Sequence, residues 1–190
     1  MKFDTRTLVL MAIAIVINVV VGQLAVWVKL PLYIDAVGTV LVAILAGPLA
    51  GAVTGVLTNL IWGLVSDPVA AAFFPVSLVV GLVAGLMARL GWFRTLGKTA
   101  VSGVVVGVIS TIVAVPIIVY MFGGVTGAGT DFATAYFVAV GQELIKSVAV
   151  ANLATNLIDK ILTCAIAWII ASRMPGRFTA SFPFYQKANA

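Results

Sequence analysis

The sequence predicts an all-α integral membrane protein, with six transmembrane helices in one compact bundle and both termini cytoplasmic. Three observations carry that prediction. Only 9% of the 190 residues are Asp, Glu, Lys or Arg, and 63% are hydrophobic, whereas a soluble domain carries roughly 25% charged residues. Apolar runs of helix-spanning length follow one another with short breaks, so the natural solvent for the chain is a bilayer. The charges gather at those breaks, and the few that do not are the residues to explain.

The spans are read in order as 7–28, 33–46, 49–65, 70–90, 99–122 and 148–172, all within a single domain, 1–190. The first is bounded by Arg6 and by Lys29-Leu30-Pro31. It resembles a signal peptide but is long and lacks a small-residue cleavage site, so it is read as retained. The second is short and ends at Gly47-Pro48; the third stops at Ser66-Asp67-Pro68. Pro48 and Pro68 suit helix starts, where a missing amide proton is no loss. The fourth ends among Arg89, Gly91 and Arg94. The fifth contains Pro116, a kink position, and leads into a Gly-rich loop, 123–130. The segment 131–173 is too long for one span at about 1.5 Å per residue. It is either one long protruding helix or an interfacial helix over 132–147 followed by the last span.

Orientation follows from the basic residues. Lys2, Arg6, Arg89, Arg94, Lys98, Arg173, Arg177 and Lys187 fall on one side of a six-span chain, and the positive-inside rule makes that side cytoplasmic. The net charge of +5 is therefore a membrane-orientation signal and not a nucleic-acid footprint. Lys29, Asp35, Asp67 and Asp131 fall on the opposite side.

Several chemistries are disfavoured. The chain has no histidine, and Cys164 is its one cysteine. That removes the commonest metal ligand and general base and any disulfide framework. The six carboxylates scatter over four regions, so no catalytic constellation forms, and no metal or cofactor is expected. Gly91 to Thr99 imitates a phosphate-binding loop, but five residues separate its glycines where four are required, and no strand precedes it. No energy source is visible in the chain.

The polar residues inside apolar runs are the site candidates. Asn152, Asn156 and Lys160 recur at i, i+4, i+8 on one helix face, with Thr155, Asp159 and Thr163 beside them. Ionisable groups at membrane depth are costly unless paired or hydrated, so they face a bundle interior or a cavity. Asn152 and Asn156 are read as a pocket wall, and Asp159 and Lys160 as a structural intramembrane pair. Trp62, flanked by Asn59 and Asp67, is the leading stacking surface for a flat ring. Tyr120 belongs to the same outer-side aromatic set, most of which would also suit an interfacial belt. Glu143 and Lys146, at i, i+3, suit either a helix ion pair or a ligand contact. Small residues recur every fourth position (Gly47, Gly51, Gly55; Gly81, Gly85; Gly103, Gly107), which lets helices approach closely in lipid.

Together these features resemble the substrate-binding S components of energy-coupling factor (ECF) transporters. The resemblance rests on the six-span plan and on Tyr33-Ile34-Asp35-Ala36-Val37-Gly38-Thr39 followed by Gly47-Pro48-Leu49-Ala50-Gly51. It rests also on Asn156-Leu157-Ile158-Asp159-Lys160 and on Met174-Pro175-Gly176-Arg177. It implies an outward-opening pocket walled by the last three helices, capped by residues 23–34 and 66–71, that captures a vitamin-like small molecule. It also implies a transmembrane coupling subunit and two cytoplasmic ATPase subunits as partners, in a multi-pass protein of the bacterial or archaeal cell membrane. Many members carry two alanines four apart on the first helix to meet the coupling subunit. Here Ala12 is followed at that spacing by Val16, and Ala14 by Asn18, leaving Ala12, Ala14 and Gly22 as the small-residue face. The alternative is a multi-span membrane sensor or scaffold, which the roughly 17 residues after Arg173 make less fitting.

Overall fold

The computed structural model describes residues 3–189; Lys2, counted above among the cytoplasmic charges, lies outside the described residues. The described chain is helical throughout, with ten helices and no strand. Four helices are long and apolar enough to cross a membrane: α1 (Thr5–Trp27), α3 (Pro48–Val65), α6 (Leu96–Phe122) and α8 (Leu144–Arg173). Two shorter apolar helices, α2 (Val37–Ala46) and α5 (Phe74–Arg89), lie between them. The small helices are α4 (Pro68–Ala72), α7 (Asp131–Ala139), α9 (Gly176–Thr179) and α10 (Pro183–Asn189).

Local chemistry sets most boundaries. Asp4 caps α1 by accepting the Thr7 backbone N–H at 3.2 Å, and Asp67 caps α4 through Val69 at 3.1 Å. Gly47, with φ +96°, turns the chain between α2 and α3, and Pro48 occupies the first turn of α3. The fourth expected span, 70–90, is instead two helices separated at Phe73. Pro75 lies in the first turn of α5, where a proline has no intrahelical bond to lose, so the chain restarts its helix there. α6 runs on through Pro116. The open question over 131–147 is resolved by Gly141 (φ +88°): α7 is a separate helix that ends at Ala139, and residues 144–147 belong to α8.

The packing inverts that of a soluble protein. Leu8, Val9, Ile13, Val16 and Val20 of α1 face outward, while Asn18, Thr54, Thr58, Asn59, Asp159 and Lys160 are buried. Apolar surface needs no protein cover where the solvent is hydrocarbon, so polar groups turn inward to find partners. α2 stands at the centre: every residue from Val37 to Leu45 is buried, as expected of a helix apolar all round. Asn18 fixes it to its neighbours, donating to Thr39 Oγ1 (2.9 Å) and Thr58 Oγ1 (3.2 Å) and accepting the Gly38 N–H (2.7 Å).

Glycines make the close approaches. Gly51 and Gly81 bring α3 against α5, and Gly103 and Gly107 bring α6 against α8; a Cβ on Gly103 would lie 2.5 Å from Ile161 Cα. At one end of the bundle Phe93, Ala171 and Phe182 are buried in the apolar core, and Phe3, Phe184 and Tyr185 pack against that core. Arg94 Nε donates to Ala188 O there at 3.0 Å. Both terminal segments and the basic loop between α5 and α6 thus share that end.

Candidate functional site

The opposite end of the bundle opens into a cavity of about 370 Å³, within the ordinary size range of small-molecule sites. Its lining comes from α1, α3, α5, α6 and α8, together with the segments 29–36, 66–70 and 126–128. α5, α6 and α8 form walls, and α1 and α3 contribute as well.

On α3, Asn59 and Trp62 lie one turn apart on the inner face. Asn59 donates to Ala70 O at 2.8 Å and accepts from Ser77 Oγ at 2.6 Å, tying α3 to α4 and α5. Trp62 is only 5% exposed; its Nε1 donates to Gln23 Oε1 at 2.8 Å, and Ser66 Oγ donates to the same oxygen at 2.7 Å. Gly22 makes room for this indole, since a Cβ there would meet the ring. Phe73, stacked on Phe122 with ring centroids 5.9 Å apart, adds a second aromatic surface to the lining.

On α8, Asn152 and Asn156 form a chain of amides. Asn156 Nδ2 donates to Asn152 Oδ1 at 2.6 Å, and Asn152 Nδ2 donates to the Tyr33 hydroxyl at 2.9 Å. Below them lies a charged floor. Lys160 Nζ is 2.6 Å from Asp159 and 3.5 Å from Asp35, and it sits 5.6 Å from the centre of the Tyr33 ring. Asp159 has no exposed surface. Its Oδ1 accepts the backbone N–H groups of Tyr33 (3.0 Å) and Ile34 (2.7 Å). These bonds hold Ile34 at φ +49°, a conformation that a β-branched residue adopts only under constraint. They also explain why α2 begins at Val37 and not at residue 33.

At the rim, two loops meet over the cavity. Lys29 Nζ donates to Gly127 O at 2.6 Å. Asp131 shapes the second loop by accepting the N–H groups of Thr126 (2.9 Å) and Gly127 (2.7 Å).

The structure thus brings Asn59, Trp62, Asp67, Asn152 and Asn156 to one cavity, and Lys160 lines it too while pairing with Asp159. Three candidates lie outside the lining of this cavity. Tyr120 is 80% exposed on the outside of α6. Glu143 and Lys146 form a surface ion pair at 3.3 Å, away from the cavity lining. The small-residue face on α1 is also divided: Ala12 points outward, whereas Ala14 is buried against Gly38 and Gly22 against Trp62. Gln23, Lys29, Asp35, Phe73 and Ser77 line the cavity without having been singled out as binding residues. Asp35 offered the clearest signal, as a lone carboxylate heading an apolar run. Among the described residues no cluster of three metal-ligating side chains forms.

The family described as "ECF transporter, substrate-specific component" matches residues 6–171. The chain belongs to that family and is a multi-pass membrane protein and a substrate-specific transporter component. Members of the family are substrate-binding subunits that work with a transmembrane subunit and ATPases. Comparison with curated proteins and with solved structures gives no match.

Proposed function

We propose that this protein captures a vitamin-sized micronutrient at the outer face of the cell membrane for ATP-driven import. It does so as the binding subunit of a complex with a transmembrane coupling subunit and two cytoplasmic ATPases. The observation that carries the proposal is the position of the cavity. It lies at the end of the bundle remote from Arg89, Arg94, Arg173 and Arg177, and positive-inside asymmetry puts those residues in the cytoplasm. The spans are then six (α1, α2, α3, the α4–α5 pair, α6 and α8) with both termini inside. Asn59, Trp62, Asp67, Asn152 and Asn156 contact the ligand, whereas Asp159 fixes the floor.

The test is native mass spectrometry of protein purified in detergent from rich medium, with the released small molecules identified. A single stoichiometric small molecule supports capture. An empty protein with no thermal stabilisation across a vitamin panel overturns it. Co-purification of the coupling and ATPase subunits from native membranes tests the second half of the proposal.

A further inference from the structure

The charges around the cavity do not balance. Two lysines, Lys29 and Lys160, face four carboxylates: Asp35, Asp67 and Asp159 at or directly behind the lining, and Asp131 behind the rim loop. The distribution matters more than the count. Lys29 is at the exposed rim, engaged with Gly127 O. At the floor Lys160 is the one cation among the described residues, and it is shared. Its short contact is to Asp159, whose other oxygen takes two backbone N–H groups, so that carboxylate is fully satisfied. Asp35 receives the longer 3.5 Å contact from the same ammonium, and its side chain is 22% exposed, into the cavity it lines. The surplus negative charge of the floor therefore resides on the carboxylate that faces the ligand.

We propose that the cavity selects a flat organic cation, whose positive charge sits against Asp35 and whose ring lies among Trp62, Phe73 and Tyr33. This rests on the reading of the cavity as the substrate site. A carboxylate in a largely desolvated site attracts a cation far more strongly than one in water. Electron-rich ring faces add to that attraction, and Tyr33 already receives the Lys160 ammonium in this way. An anionic ligand would meet Asp35 with no free cation among the described residues at the floor to offset it. A metal ion is disfavoured because no cluster of ligating groups forms among the described residues and the space of about 370 Å³ suits a ring system. The Asn152–Asn156 amide chain is left to read the ring's polar edge.

The test is a charge series on one ring, followed by thermal shift and calorimetry on the detergent-purified protein. 1-Methylnicotinamide (a pyridinium cation), nicotinamide (neutral) and nicotinate (anion) form the series. Thiamine, riboflavin and biotin extend it to larger cations, neutral molecules and anions, and any molecule extracted from the purified protein is identified. Binding confined to cations, weakened about tenfold to a hundredfold by Asp35→Asn, is the expected result. Tight binding of a neutral or anionic molecule in the cavity, or a folded Asp35→Asn protein with unchanged cation affinity, overturns the charge assignment but leaves the capture function standing. If Asp35→Asn does not fold, the wild-type series decides alone. No bound molecule and no response to any probe overturns both.

Discussion

Asp159 joins three parts of the molecule that are distant in sequence. One oxygen holds the backbone at Tyr33 and Ile34, and the other holds Lys160, which in turn reaches Asp35. Removing it leaves two partly buried N–H groups unpaired and shifts the charge at the floor by one unit. Breaking a buried ion pair from one side costs about 3–5 kcal/mol, so Asp159→Ala is expected to lower the melting temperature in detergent markedly. A melting temperature equal to wild type would mean that water reaches this site and replaces the lost partner. Asn152 has a different role. It relays Asn156 to Tyr33 without supporting any helix end. Asn152→Leu is therefore expected to leave the fold intact and weaken ligand binding about tenfold, the scale of one lost hydrogen bond in a desolvated site. Unchanged affinity in the Asn152→Leu, Asn156→Leu double variant, with folding intact, would remove these amides from the site.

At the scale of the helices, what was legible in the sequence depended on whether the determining contact was local. The Gly47-Pro48 turn and the Asp67-Pro68 start are local signals, and both are boundaries in the structure. The break at Phe73 was missed because Pro75 sits one residue inside the new helix and leaves the hydropathy uninterrupted. The late start of α2 was not readable at all, since the carboxylate that holds the backbone at residues 33–34 lies about 125 residues away. Helix phase explains the site residues in the same way. Asn152, Asn156 and Lys160 recur every fourth position and share a face, so their meeting at one cavity was predictable. Lys146 lies six positions before Asn152, about 120° off that face at 3.6 residues per turn, which puts it outside. On α1, Ala14, Asn18 and Gly22 form the inward row, and Ala12, two residues from Ala14, points the opposite way. Glycine spacing gives a further expectation. Gly103→Leu drives a side chain into the α8 backbone and should cost about 1–3 kcal/mol or more, read as a lower melting temperature. Gly97→Ala, in the same helix but with nothing near its Cβ position, should cost nothing.

For the whole molecule, the inverted packing and the charge asymmetry constrain each other. An apolar exterior makes lipid the surrounding medium. Within lipid, the end bearing Arg89, Arg94, Lys98, Arg173 and Arg177 and the end bearing the cavity must then face opposite compartments. If the positive-inside rule fixes the basic end in the cytoplasm, the cavity faces outward, where scarce nutrients are met. The native cysteine makes this directly testable, because Cys164 is buried and contributes little background to thiol labelling. Val125, at the start of the rim loop, and Ala180, between α9 and α10, are both exposed. In intact cells a membrane-impermeant maleimide is expected to label Val125→Cys and to reach Ala180→Cys only after permeabilisation. The reverse pattern would turn the cavity toward the cytoplasm and make capture from outside untenable, whatever molecule the cavity holds. Labelling of both in intact cells would place the two ends on one side and break the six-span arrangement itself.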